Sequence, residues 1–302
     1  MSREELLALY KSHAARGSEK VRQGQFREAL ADYEEASRLA QLAGDLDLVH
    51  LAASNLSMVR LELGDIREAQ KGLREMILRS RDQRVVLGAT YNLAVSLRKQ
   101  GNYGRALTYA HRAMRIATQE GDISSRAMCH NLVGNIYLGR SLFDDALGEY
   151  HRALRLRTRQ DGDHRFSVSI LRENIGYCFL LKRQYRRGMR WIGQALRVSR
   201  ETGDRRCQAE CLQDLTYARL HLGDNAQASR AGESALDLAL AEGYADIERN
   251  CYYLLGEIAH KTGDERTRDR YFGLLQKQYP EVPFLRDFLC VVDVSGIIAL
   301  KG

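Results

Sequence analysis

Apolar residues recur along this chain at helical spacing in short paired stretches, and the clearest pair runs from Ala127 to Ala153. Val133, Gly134 and Tyr137 form one stripe of a first helix, and Phe143, Ala146, Leu147, Tyr150 and Ala153 form one stripe of a second. One pair of helices cannot bury both stripes, so the pattern predicts stacking on further copies of itself. With Ala146 as reference, the equivalent positions are Ala29, Ala69, Ala106, Gly188, Ala228 and Arg268. Along the seven positions the intervals are 40, 37, 40, 42, 40 and 40 residues.

Polar turn residues punctuate the same period. Gly64 is suited to close one helix, and Asp65 with Glu68 is spaced as a capping box that opens the next. Gly101-Asn102, Gly223-Asp224 and Gly263-Asp264 repeat the device within repeats; Gly44-Asp45, Gly121-Asp122 and Gly203-Asp204 use it between them. The first repeat has a clear second helix, introduced by Gly24-Gln25-Phe26 and carrying Ala29, Tyr33 and Ala36. Its first helix places Arg16 where an apolar residue is expected, which predicts a polar N-terminal cap. In the fifth repeat Gly188 replaces the packing alanine, predicting a close contact or a bend, and Arg268 marks a decaying last repeat.

Gly134, Tyr137, Phe143, Ala146, Tyr150 and Ala153 resemble the small and aromatic signature of a tetratricopeptide repeat, with Gly134 where the two helices pack closest. A minimal repeat of that family has about 34 residues. The longer period near 40 is similar to that of the kinesin light chain, the spindle-orientation adaptors of the Pins and LGN type, and the peptide-sensing regulators of Gram-positive bacteria. The resemblance covers the chain to about Gln278. It implies an all-α fold: a right-handed superhelical solenoid of about seven helix-turn-helix repeats over residues 1–279, followed by a capping or docking segment over 280–302.

Composition agrees with helices throughout. Of 302 residues 44% are hydrophobic and 28% charged, and the two prolines, Pro280 and Pro283, fall after the last repeat, so none before them removes a helix donor. Phe284 to Val294 predicts one further helix, and Ser295 to Leu300 is apolar. That tail is expected to cover the open end of the stack; dimerisation, or occupation of the chain's own groove, are the alternatives. The N-terminal Met1-Ser2-Arg3-Glu4-Glu5 is too charged for a secretory leader, and no apolar run is long enough to span a bilayer. Cys129, Cys178, Cys207, Cys211, Cys251 and Cys290 are scattered on predicted helices and read as reduced thiols, so a cytoplasmic location is expected.

The net charge of +7 comes mostly from arginine, much of it on second helices, as at Arg152, Arg155, Arg157, Arg186, Arg187, Arg190, Arg197 and Arg200. A solvated outer face accounts for it. An acidic partner, nucleic acid included, is the sharper alternative, but no zinc-finger spacing, ribonucleoprotein aromatic stretch or helix-turn-helix module accompanies the arginines. Catalytic signals are missing too: there is no P-loop, no G-x-S-x-G and no HExxH. Cys207-x-x-x-Cys211 puts two thiols on one helical face without a second zinc-ligand pair. No enzyme activity, cofactor or metal is expected.

Polar residues on the first helices are the remaining signal. The resemblance implies that these helices line a concave surface, which would present Asn55, Asn92, Asn131, Asn135, Asn174 and Asp214 in successive repeats. Tyr91, Arg98, Lys99, Glu173, Tyr177, Tyr217 and Tyr253 lie beside them, in a gradient from basic at Arg98 and Lys99 to acidic from Glu173 onward. An asparagine amide both donates and accepts, so a ladder of them suits a peptide backbone; satisfying neighbouring helix ends is the competing role. A chaperone-tail clamp is not expected, because Ala14, Ser18, Gly88 and Asn92 stand where its lysines, asparagine and arginine belong. The expectation is a non-catalytic scaffold binding a peptide or partner helix. The alternative is a peptide- or partner-sensing regulator that changes shape and uses its basic outer face on nucleic acid. No membrane partner is expected, and the C-terminal segment is a candidate for contact between identical chains.

Overall fold

A computed structural model of the protein describes residues 1–22 and 25–291. The helices are α1 (Arg3–Arg22), α2 (Phe26–Leu42), α3 (Leu46–Glu62), α4 (Ile66–Arg79), α5 (Gln83–Lys99), α6 (Tyr103–Gln119), α7 (Ile123–Gly139), α8 (Phe143–Thr158), α9 (Arg165–Leu181), α10 (Tyr185–Thr202), α11 (Arg205–His221), α12 (Asn225–Glu242), α13 (Ala245–Thr262), α14 (Glu265–Gln278) and α15 (Leu285–Val291). No strand occurs among the described residues. The odd-numbered helices from α1 to α13 are the first helices of seven consecutive pairs, and α15 follows the last pair. The predicted entry at Gly24 and the tail beyond Val291 lie outside the described residues.

The chain packs as two compact units, the first ending at Leu142 and the second beginning at Phe143. The boundary falls inside the fourth repeat, between α7 and α8. Within the first unit, Leu6, Tyr10, Ala36, Leu39 and Ala52 bury one cluster, and Leu73, Leu93, Leu97, Ala106, Leu132 and Ile136 bury another. In the second unit Tyr150, Tyr177, Ile192 and Phe272 are the largest fully enclosed side chains. The reference alanines Ala29, Ala69, Ala106, Ala146 and Ala228 are all buried, which is why the period could be followed through them.

Departures from a 40-residue period have local causes. α4 has 14 residues where α2 and α6 have 17, which shortens the second interval to 37. A longer loop from Arg159 to His164 precedes α9 and lengthens the interval there.

Helix starts use side-chain caps for most of the predicted pairs. The carboxylates of Asp45, Asp122, Asp204, Asp224 and Asp264, and the amide oxygen of Asn102, accept from backbone N–H groups in the first turn that follows. Asp65 is the exception: its side chain accepts no capping bond, so the expected capping box with Glu68 is not formed. At the turn after α11 the chain needs a left-handed residue, supplied by Gly223 at φ 78°; in the equivalent turns Ser141 and Arg183 take that conformation at φ 58° and 57°.

Arg16 and Gly188 also find explanations. Arg16 points across to the buried Asp32 on α2, with Lys20 and His13 on the same carboxylate, so the polar position in α1 serves an ion cluster. Gly188 is buried in α10 and lies against the backbone of α9. After α14, Gln276 donates to the carbonyls of Tyr279 and Val282 and accepts from Arg286 N–H, tying the proline-containing turn to α15.

Candidate functional site

In the first unit the candidate residues lie on α3, α5 and α7. Asn55, Tyr91, Asn92, Arg98, Asn131 and Asn135 are half-buried and Lys99 is exposed. Asn92 Nδ2 donates to Ser54 Oγ at 2.9 Å, a bond between α5 and the preceding first helix. Lys99 Nζ pairs with Glu62 across the same two helices, which neutralises part of the expected basic end. Tyr91 packs against two buried clusters, one that includes Leu93 and Leu132 and one that includes Val86 and Cys129; burial, with a smaller push from Cys129, moves its hydroxyl up to about 12 against the pull of Arg98.

The second unit holds Glu173, Asn174 and Tyr177 on α9, Asp214 and Tyr217 on α11 and Tyr253 on α13, and all six are buried. Asp214 is fully enclosed; burial, reinforced by the Glu210 carboxylate, raises its pKa well above the usual range and favours the neutral acid. Burial likewise pushes Glu210 up to about 7, although Arg206 draws it down. Asn250 Nδ2 donates to Gln213 Oε1 at 3.0 Å, again linking consecutive first helices. Tyr217 meets His221 edge to face at 4.4 Å, and His221 stacks on Tyr185 at 5.1 Å.

Asn55, Asn92, Asn174 and Asp214 each stand 14 residues before a reference position, as do Leu132 and Leu254. Both leucines are buried, so the register belongs partly to the packing between first helices. Asn131 stands one position earlier, in the register of Tyr91, Glu173 and Tyr253.

Ser54 and Glu62 were not among the candidates, yet their spacing was informative. They lie 38 and 37 residues from their partners Asn92 and Lys99, close to the local repeat interval. The same rule places Asp246 beside Arg206, 40 residues away. Tyr185 joins its aromatic cluster from a second helix, three residues before a reference position, in the register of Phe26, Tyr103 and Phe143.

Among the described residues no group of three or more His, Cys, Asp or Glu could hold a metal ion. Cys207 Sγ and Cys211 Sγ are 3.9 Å apart, well beyond a disulfide bond length. No described helix is long and apolar enough to cross a membrane.

Consecutive helix pairs, with left-handed residues at the turns after α3, α5, α7, α9, α11 and α13 and buried alanine or glycine on most second helices, define a helical-repeat fold. Residues 86–159 match the tetratricopeptide repeat family, so that stretch carries the repeat and the rest of the chain shares its fold. Its fold is similar to that of a Rap protein complexed with competence and sporulation factor, at 15% identity and a TM-score of 0.66, covering 93% of this chain and 78% of that one. Aspartyl phosphate phosphatase F from Bacillus subtilis gives 14% identity and a TM-score of 0.65, covering 92% and 86%. PilW, a type IV pilus biogenesis factor, gives 17% and 0.60, covering 80% and 98%. At these identities the likeness is one of fold. No curated protein matches the chain in sequence.

Proposed function

We propose that this protein is a non-catalytic scaffold that captures a peptide or a partner helix along first helices of its repeats, with α3, α5 and α7 as the capturing surface. One observation carries the reading: Asn55, Asn92, Asn131 and Asn135 stay half-exposed on α3, α5 and α7, whereas the candidates Glu173, Asn174, Tyr177, Asp214, Tyr217 and Tyr253 on α9, α11 and α13 are buried. An amide side chain has two donor hydrogens and an acceptor oxygen with two lone pairs, so a half-exposed one that already has a partner in the chain still offers capacity to the N–H and C=O groups of an incoming backbone. Arg98 adds a cation at the end of α5, where Lys99 is already paired. A fold neighbour seen with a bound factor, the Rap protein, gives the reading a precedent.

The test is capture from native lysate by the full chain, with bound proteins quantified. Asn92→Ala combined with Asn131→Ala is expected to remove the captured species, whereas Arg197→Gln on α10 should retain them. An unchanged set of captured proteins in the double variant would exclude this surface.

A further inference from the structure

α4 ends three residues earlier than α2 and α6, and at its truncated end the first unit opens a cavity of about 270 Å³. Because neighbouring helices run antiparallel, the C-terminal ends of α4 and α6 and the N-terminal end of α5 meet there. The floor is apolar: Val86 and Ile116 are buried and Ile77 is half-buried. The mouth is cationic. Arg112 and Arg115 line it from one face of α6, at an i,i+3 spacing that sets two like charges side by side.

Neither arginine has an ion pair among the described residues, although Arg16, Arg38 and Arg60 of the same unit all do. Neither Glu120, the nearest carboxylate in sequence to Arg115, nor Asp82 lines the cavity, and Asp82 accepts from Arg84 N–H at 2.8 Å as the cap of α5. Gln83 adds an amide to the wall. Two guanidinium groups above an apolar floor are complementary to an anionic head on an apolar body. The volume suits a group about the size of a substituted aromatic ring rather than a helix.

We propose that this cavity is a second binding site, distinct from the first-helix surface, for an apolar group bearing one carboxylate or phosphate. The apolar body rests on Ile77, Val86 and Ile116, and the anion sits between Arg112 and Arg115. Such a group has two sources, a free small molecule or the C-terminal residue of a peptide, and separate probes distinguish them.

Titration calorimetry on the full chain would use phenyl phosphate, inorganic phosphate, benzyl alcohol, and a short peptide ending in phenylalanine with a free or amidated terminus. Phenyl phosphate or the free-terminus peptide should bind at least tenfold more tightly than inorganic phosphate, benzyl alcohol or the amidated peptide; the tighter of the two names the source. Arg112→Gln with Arg115→Gln should weaken that binding at least tenfold. Arg197→Gln with Arg200→Gln, which removes the same charge from α10, should leave it unchanged. Binding that survives the Arg112/Arg115 pair, equal losses in both double variants, or no binding by either anionic probe would overturn the site.

Discussion

A methyl group added to Gly188 would stand 2.8 Å from the backbone oxygen of Gly176, and 2.4 Å from Leu180 Cδ2. The contact is reciprocal, since a Cβ on Gly176 would lie 3.1 Å from the Gly188 oxygen. α9 and α10 therefore cross backbone against backbone, and a side chain at either point must push them apart.

Gly188→Ala is accordingly expected to destabilise the protein by about 1–3 kcal/mol through overpacking, although alanine favours a helix by roughly 1 kcal/mol. Gly193 lies in the same helix with open space around it, so Gly193→Ala should show the helical gain alone. Urea denaturation of the two variants checks the contrast; destabilisation of similar size in both would mean that the Gly176 contact is not the cause.

Arg183 takes the left-handed conformation in a turn where Gly223 does so without strain. A residue with a Cβ pays about 1 kcal/mol there, so Arg183→Gly should stabilise the protein by a few tenths to 1 kcal/mol, after the greater freedom of glycine in the unfolded chain is subtracted. Ser141→Gly should act in the same direction. A fall in melting temperature for both would contradict the assignment of strain.

Asp32 sets the acid end of the stability profile. Burial pushes its carboxyl up, but the hydrogen bonds from Lys20, Arg16 and His13 outweigh that and hold it at about 2, below its ordinary 3.8. A depressed acid contributes stability that is present above its unfolded pKa and lost as pH falls from about 4 toward 2; for this shift the size is roughly 2 kcal/mol. Asp32→Asn should lower stability at pH 7 and differ little from the parent near pH 2. A constant difference across that range would sink the argument.

Asp214 has the opposite sign. Its raised pKa favours the protonated folded form, so its contribution is complete below pH 3.8 and declines as pH rises through and beyond that value. Asp214→Asn should therefore stabilise the protein more at pH 8 than at pH 4. Chemical denaturation at the two values tests this, and a larger gain at pH 4 would refute it.

The repeat could be followed in the sequence because Ala29, Ala69, Ala106, Ala146 and Ala228 are almost fully enclosed and Gly188 lies against backbone, so six of the seven positions hold a small residue and Arg268 departs. Gly188 was legible as a close approach for the same reason. The burial of Asp214 and Glu173 was not, since a polar letter on a first helix looks alike whether it faces solvent or a neighbouring helix. Leu132 and Leu254, at the register of Asn92 and Asp214, were the available warning. Nor did Asp65 reveal that its cap would stay unmade, because cap formation depends on side-chain rotamer and local turn geometry rather than on residue identity alone.

Burial of the candidate residues on α9, α11 and α13, and partial exposure of Asn55, Asn92, Asn131 and Asn135 on α3, α5 and α7, give the two halves unequal freedom to vary. Random substitution at Asn55 or Asn135 alters what the surface displays with little effect on folding, whereas substitution at Tyr177 is filtered by stability before any display is changed. Copies of this chain that diverge toward new partners should therefore accumulate their differences in the first half, with the second half as the inherited chassis.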